Sequence, residues 1–272
     1  MKRTSILTIA VFLLSTHFLY AVPTEGLVAY YPFNGNAKDE SINDNEGIIN
    51  GAILTSDRFG NPNSAYSFDG VDDFITVSYS EDFQLPAFTF SAWIKPVHSN
   101  TFITPGSIFM SRGEDFSTDN AAFSFGIQPE ESSWGNGITM LYEDKGDVEC
   151  FYGTGIFPKE NEWSQIVSTR ATNGTLSIYL NGELLDSWDS TPVPTSRCFQ
   201  DLTIGAYWNN TPIGNQFLSG FFSGSIDDIM IYDKALSAEQ INQLYAIPAP
   251  SAILLVGFGT GFVGWLRKRK TI

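Results

Sequence analysis

Short strand-like segments with turn chemistry between them recur along most of this chain, and that recurrence restricts the fold more than any other feature. They run Gly26 to Tyr31, Ala65 to Phe68, Asp73 to Val77, Phe88 to Lys95, Ser107 to Ser111, Ala122 to Ile127, Ile138 to Tyr142, Ser164 to Arg170, Thr175 to Leu180, Leu202 to Ala206 and Ser225 to Tyr232. Segments this short, bounded by Gly, Asn, Asp, Ser and Pro, predict an all-β roll. Phe88, Phe90, Ala92 and Ile94 alternate with Thr89, Ser91, Trp93 and Lys95, the period-2 pattern of a strand with one apolar face. Asn181-Gly182 predicts a tight hairpin, because a type I′ turn needs positive φ at both central positions. The one good helix is short and late: Ser237 as N-cap, Gln240 completing a capping box, then Ile241, Leu244 and Tyr245 on one face that should dock on the sandwich.

The two ends carry different signals. Lys2 and Arg3 precede an apolar run from Ile6 to Leu14 closed by Ala21, the order of a secretory signal peptide over residues 1–21. At the far end, Pro248, Ala249, Pro250 and Ser251 lead into an apolar segment, 252–266, and then Arg267, Lys268, Arg269 and Lys270. That segment reaches about 22 Å as a helix, short of the roughly 30 Å hydrocarbon core, which suits a temporary membrane anchor. The basic cluster should stay cytoplasmic, leaving the intervening chain outside. This tail, residues 248–272, resembles the PEP-CTERM sorting family, with Ala249 where the family has Glu. The resemblance implies cleavage by an exosortase, and a secreted or cell-surface protein held transiently at the inner membrane.

Residues 22–247 hold nine Lys plus Arg against all thirty Asp plus Glu, a net charge of −21. Such a charge repels phosphate backbones, so nucleic acid is excluded as a partner, and it suits a module that holds calcium through carboxylate oxygens. With 43% hydrophobic and 14% aromatic residues the chain can build a core, and no Pro- or Ser-rich linker divides 22–247, so one domain is expected. Cys150 and Cys198 are the only cysteines; export permits a disulfide between them, and their spacing offers no metal or redox motif.

The pieces GLVAYYPFNGNAKDESINDNEG, SFDGVDDFITV, FTFSAWIKP, EWSQIVSTR with GTLSIYLNGELL, and FSGSIDDIMIYDKALSAEQINQLY occur in this order. Together they resemble the laminin G-like, concanavalin A-like lectin family across nearly all of residues 22–247. The resemblance implies a jelly-roll β-sandwich of two antiparallel sheets, one concave and one convex, with rim loops that bind glycans or proteins. It also implies a structural calcium where the N-terminal loop meets the last strand, with Asp39 and Asp227 as matching carboxylates and Asp228 as an alternate ligand. Asp227 precedes Ile229 and Ile231, which strict alternation puts on its own face, so its charge needs solvent or a cation. Gly35, Gly70 and Gly182 occupy expected tight turns, and Trp93 and Trp163 are expected in the inter-sheet core.

Glycoside hydrolases of this fold place acids on alternate positions of one strand. Here Glu130-Glu131 and the run Glu143-Asp144, Asp147 and Glu149 sit in loop-like contexts, and His98 is the one histidine of residues 22–247, so no catalytic constellation can be built. Aromatics beside small polar residues are the usual sugar platforms, since a ring face stacks on pyranose C–H groups while amides take hydroxyls. Trp134 in SSWGNG qualifies, as do Tyr207 and Trp208 with Asn209 and Asn210 in AYWNNTPIG. The reading is a non-catalytic lectin-like surface module binding extracellular polysaccharide or glycan. A structural or adhesion protein recognising surface proteins is the alternative, and a glycoside hydrolase the third.

Overall fold

A computed structural model describes residues 22–97, 107–113, 122–130, 132, 135–144, 148–189, 198–210 and 216–247. Contacts separate a unit Val22–Ala246 from the two terminal segments, and the following concerns that unit. Among the described residues no helix is long and apolar enough to cross a membrane; the segments 1–21 and 252–266 lie outside them.

The strands are Leu27–Tyr31 (β1), Gly47–Asn50 (β2), Ile53–Thr55 (β3), Ala65–Asp69 (β4), Phe74–Val77 (β5), Phe88–Pro96 (β6), Ser107–Arg112 (β7), Ala122–Gln128 (β8), Gly137–Asp144 (β9), Val148–Gly153 (β10), Ser164–Arg170 (β11), Leu176–Leu180 (β12), Glu183–Trp188 (β13), Leu202–Ile204 (β14), Tyr207–Asn210 (β15), Gln216–Ser219 (β16) and Ser223–Tyr232 (β17), followed by helix Ala238–Tyr245 (α1). They form two large antiparallel sheets. One has eight strands in the order β13-β12-β11-β6-β17-β4-β3, with β1 also paired to β17; the other has seven, β10-β9-β8-β7-β14-β5-β2; β15 and β16 pair only with each other. This is an all-β, jelly-roll-like sandwich with one short helix.

Alternation decides which side of each strand meets the core. Phe88, Phe90, Ala92 and Ile94 of β6 face inward, as the period-2 reading requires, and meet Met110, Phe125, Ile138, Leu202 and Ile204 from the seven-stranded sheet. Phe90 stacks between Phe88 and Phe123, at 4.3 and 4.5 Å between ring centroids. Each fully buried ring of this kind contributes about 2–3 kcal/mol of hydrophobic stabilisation.

The expected hairpin is present: Asn181 and Gly182 have φ of 52° and 82°. The helix starts as its sequence requires, with the Ser237 hydroxyl accepting from the Gln240 N–H and the Gln240 side chain returning to the Ser237 N–H. It docks on the outer face of the eight-stranded sheet, where Tyr245 stacks on Trp93 with ring centroids 5.6 Å apart. Trp93 therefore lies under α1 and not between the sheets, because it shares the outward parity of Thr89 and Ser91. Trp163 precedes β11 and is half-buried.

Candidate functional site

The last long strand contains a bulge that alternation could not foresee. Between Asp227 and Met230 the pairing of β17 with β6 shifts, and Asp228 takes a φ of 44°. The extra residue resets parity. Asp227 pairs with Trp93 on the outer face, whereas Ile229 pairs with Tyr31 and joins the core. Both carboxylates are buried, and the cation they meet is Arg58, whose Nη1 lies 3.4 Å from Asp227 Oδ2 and also bonds Asp228 Oδ2. The guanidinium is layered between the rings of Trp93 and Phe59, 4.3 and 4.4 Å from their centroids. Tyr30 OH donates to Asp228 Oδ1 at 3.0 Å. Burial, then the neighbouring Asp228 charge, pushes the Asp227 carboxyl well above the usual carboxylate range against the pull of Arg58.

Asp39 is occupied differently. Its Oδ1 accepts from the N–H groups of Tyr30 and Ser41 at 2.9 and 2.8 Å, and its Oδ2 from the Ser41 hydroxyl and the Asn45 N–H at 2.8 and 3.0 Å. Four donors use the roughly four lone-pair sites of a carboxylate. The two acids that sequence reading joined around calcium thus have separate protein partners, a guanidinium for Asp227 and a loop of N–H and O–H donors for Asp39.

The acidic group with the geometry of a metal site lies in the β4–β5 turn, where carboxylate oxygens of Asp69, Asp72 and Asp73 come within 4.8 Å of one another. Two ligands of one calcium, each at about 2.4 Å, can stand that far apart, so the donor set fits a hard cation. Gly70, at φ 79°, allows the tight turn that gathers them. Asp73 is buried, and burial followed by the charges of Asp69 and Asp72 raises its pKa despite a 2.9 Å bond from the Asp69 N–H. Asp69 is exposed, and backbone N–H groups, chiefly that of Val71 at 2.7 Å, lower its pKa. Sequence reading passed over these three acids although they stand in the quoted SFDGVDDFITV.

The outward face of the seven-stranded sheet carries hydroxyls. Register aligns Thr76 of β5 with Thr203 of β14, Thr203 with Ser111 of β7, and Ser111 with Ser124 of β8. All four have the parity opposite to the core residues Ile75, Ile204, Met110 and Phe125. The Ser111 hydroxyl donates to the Ala206 carbonyl at 2.8 Å, where the chain leaves the sheet to form the β15–β16 hairpin. Gly205, at φ 86°, makes this departure with its Cα hydrogen against the Phe68 ring, where a Cβ would collide. β15 packs against β7, and the chain rejoins the sheet at Gly220, whose carbonyl accepts from the Ile108 N–H at 2.9 Å.

Tyr207 and Trp208 are on this hairpin, Tyr207 buried and Trp208 half-buried. Three buried polar atoms here have no hydrogen-bond partner: Trp208 Nε1, Ser219 Oγ and Thr203 Oγ1. Asn209 and Asn210 belong to β15, but their side chains, like all of Trp134, lie outside the described residues. Gly135 and Asn136, which follow Trp134, pack on Gly153 at the end of β10. Cys198 is buried, its carbonyl accepting from Arg112 Nη2 at 2.7 Å; Cys150 is on β10 with its side chain outside the described residues. Glu143 and Asp144 are in β9 and Glu149 is in β10, with Glu143 directly opposite Glu149, so these three acids are in strands and not loops, while Asp147 lies outside the described residues.

Comparison with known proteins agrees with this architecture. No curated protein sequence matches the chain significantly. Among solved structures, domain 4 of AbnA, a GH43 extracellular arabinanase from Geobacillus stearothermophilus solved with arabinotriose, superposes with a TM-score of 0.61 at 19% identity, over 80% of this chain and 98% of that one. The binding domain of Paraclostridial Mosquitocidal Protein 1 gives a TM-score of 0.59 at 16% identity, over 82% of this chain and 52% of that one. The receptor-binding domain of the botulinum neurotoxin C/D mosaic serotype gives 0.59 at 18%, over 82% and 51%. The chain thus spans about half the length of those two toxin domains, and likeness at such identities shows the fold alone. The profile of the concanavalin A-like lectin/glucanases superfamily matches residues 69–242, more than half of the chain, which therefore belongs to that superfamily.

Proposed function

We propose that this protein is a glycan-binding module without catalytic activity, and that the outward face of the seven-stranded sheet, flanked by the β15–β16 hairpin, is where a sugar chain binds. The observation that carries the reading is the half-buried Trp208 on the β15–β16 hairpin, which packs against the seven-stranded sheet whose hydroxyl row runs from the half-buried Thr76 to the buried Thr203, Ser111 and Ser124. The half-buried Trp208 ring offers a stacking surface, and the half-buried Thr76 hydroxyl can both donate to and accept from sugar hydroxyls. The arabinotriose held by the arabinanase domain and the ganglioside interaction of type C botulinum neurotoxin, whose binding region shares this fold, are consistent with glycan binding.

Calcium belongs to the same proposal, held by Asp69, Asp72 and Asp73, where it would neutralise three gathered carboxylates and fix the β4–β5 turn. So do export through residues 1–21 and sorting through 248–272, which would present the module outside the cell.

The test is a polysaccharide screen by affinity electrophoresis and calorimetry, with calcium and with chelator. Trp208→Ala should abolish retardation while leaving the circular dichroism spectrum unchanged; unaltered binding by that variant would remove the site. Release of reducing ends from any bound polysaccharide, lost in Glu143→Gln, would overturn the non-catalytic assignment. One observation favours an adhesion protein instead. Ile48 and Ile49 of β2, Ile53 of β3 and Val71 are exposed, and β2 and β3 are the end strands of their sheets. Concentration-dependent self-association abolished by Ile53→Lys, without sugar binding, would support that reading.

A further inference from the structure

Among the described strands, β15 and β16 alone join neither large sheet. The base of their hairpin is pinned. The Gly205 N–H donates to the Phe109 carbonyl at 3.2 Å, the Ile108 N–H to the Gly220 carbonyl at 2.9 Å, and the Phe222 N–H to the Gly205 carbonyl at 2.8 Å. At these pins the chain leaves and returns through two glycines in the left-handed region, with φ of 86° at Gly205 and 60° at Gly220, residues that can change backbone angles most freely. Beyond them the hairpin lies over the sheet. Ser111 and Thr203 have outward parity and are nonetheless 0% exposed, and the Ser111 hydroxyl donates to the Ala206 carbonyl at the root of the hairpin.

The contact between hairpin and sheet is poorly matched. Tyr207 and Ser219 pair across the hairpin and so share a face, the one on which Tyr207 is buried. Ser219 Oγ on that face, Nε1 of the adjacent Trp208, and Thr203 Oγ1 in the sheet are all buried with no hydrogen-bond partner. In water each would be solvated, so laying the hairpin down removes their hydration with no bond in return. Burial of Tyr207 and of part of the Trp208 ring opposes this, while Phe217 stays 45% exposed. A two-stranded hairpin released from the sheet is marginal by itself in water, so its amides open to solvent when it lifts.

We infer that the β15–β16 hairpin is a strap that lifts from the seven-stranded sheet about Gly205 and Gly220, and that this opening sets access to the buried hydroxyls of Ser111 and Thr203. The lifting unit is Tyr207–Asn210 with Gln216–Ser219. In the closed form these hydroxyls are withheld from any ligand; in the open form they face solvent. That a sugar then meets them rests on the glycan-binding reading above, whereas the opening itself does not.

The experiment is native-state hydrogen exchange of the 15N-labelled protein, without ligand, followed by NMR. The Trp208 indole N–H and the amides of β15 and β16 should exchange at least about a hundredfold faster than those of β7 and β14, and with a weaker urea dependence, as a local opening requires. Thr203→Val deletes an unpartnered hydroxyl and keeps the shape of the side chain, so it should slow exchange of the strap by about fivefold or more. Ser219→Ala should act in the same direction. Urea titration of each variant separates this effect from a change in global stability. Strap protons that exchange only through global unfolding would overturn the inference, as would either variant speeding strap exchange in the way that loss of a satisfied hydrogen bond does. A strap that opens in a protein that binds no polysaccharide would remove the glycan reading and leave this one standing. Sugar binding by a protein whose strap opens only globally would do the reverse.

Discussion

Replacing Arg58 by Met should be among the most damaging single changes in this domain. The guanidinium side chain is 6% exposed and faces two carboxylates that are themselves 4% and 8% exposed. Removing one partner of a buried ion pair leaves an uncompensated charge and costs about 3–5 kcal/mol. Loss of stacking between Trp93 and Phe59 acts in the same direction, while the Met side chain recovers part of the packing. For a domain of this size, about 2–4 °C is lost per kcal/mol, which predicts a Tm lowered by roughly 6–20 °C.

The loss should also depend on pH. Asp227 has a raised pKa in the folded state, so between the ordinary carboxylate value and the folded one the native state holds a proton that the unfolded chain has released. That stabilising contribution is complete below the unfolded value and is lost as pH rises through the folded one. Removing Arg58, which pulls the Asp227 pKa down from a folded value that burial raises to about 9, extends the declining window above that value, so the deficit should be larger at pH 10 than at pH 7. Urea unfolding followed by tryptophan fluorescence measures it. Arg58→Met with Asp227→Asn and Asp228→Asn together should regain most of the loss. A deficit under about 1 kcal/mol, the level of a solvated surface pair, would refute the buried-pair reasoning.

Three further outcomes follow from the same geometry. Gly205→Ala should lower stability by at least about 2 kcal/mol in urea titration, because φ is positive and the new Cβ meets the Phe68 ring. Ser237→Ala removes half of the capping box and should cost about 1 kcal/mol without altering any ligand affinity, since α1 covers the sheet opposite the proposed site. Calcium should raise the Tm of the unaltered protein, with an increment lost in Asp73→Asn; an equal increment in both would exclude the β4–β5 turn as the site.

Legibility in the sequence followed how strongly each element depends on its own neighbours. β6, the Asn181-Gly182 turn and the Ser237 capping box are local solutions, and the structure keeps them where pattern and turn chemistry require. β2 and β3 were not legible because they are edge strands whose isoleucines point to solvent, so their pattern lacks a buried face. β15 and β16 stand in a stretch rich in Asn, Pro and Gly that reads as loop. The polar ends of β9 and β10 read the same way. The bulge at Asp228 breaks the period-2 rule, so the faces of Asp227 and Ile229 could not be inferred from alternation. Arg58 was invisible as a partner because it lies 169 residues from Asp227 and nothing local to either announces the pair. The hydroxyl row is likewise a product of register between β5, β14, β7 and β8, which no single strand encodes.

The most direct test of the glycan-binding face is chemical-shift mapping of the 15N-labelled protein during titration with the oligosaccharide that binds tightest. The account predicts that the Trp208 indole N–H moves most, together with amides of Ser111, Ser124, Thr203 and the β15–β16 hairpin. Shifts centred on Trp93 and α1, on the opposite sheet, would contradict it.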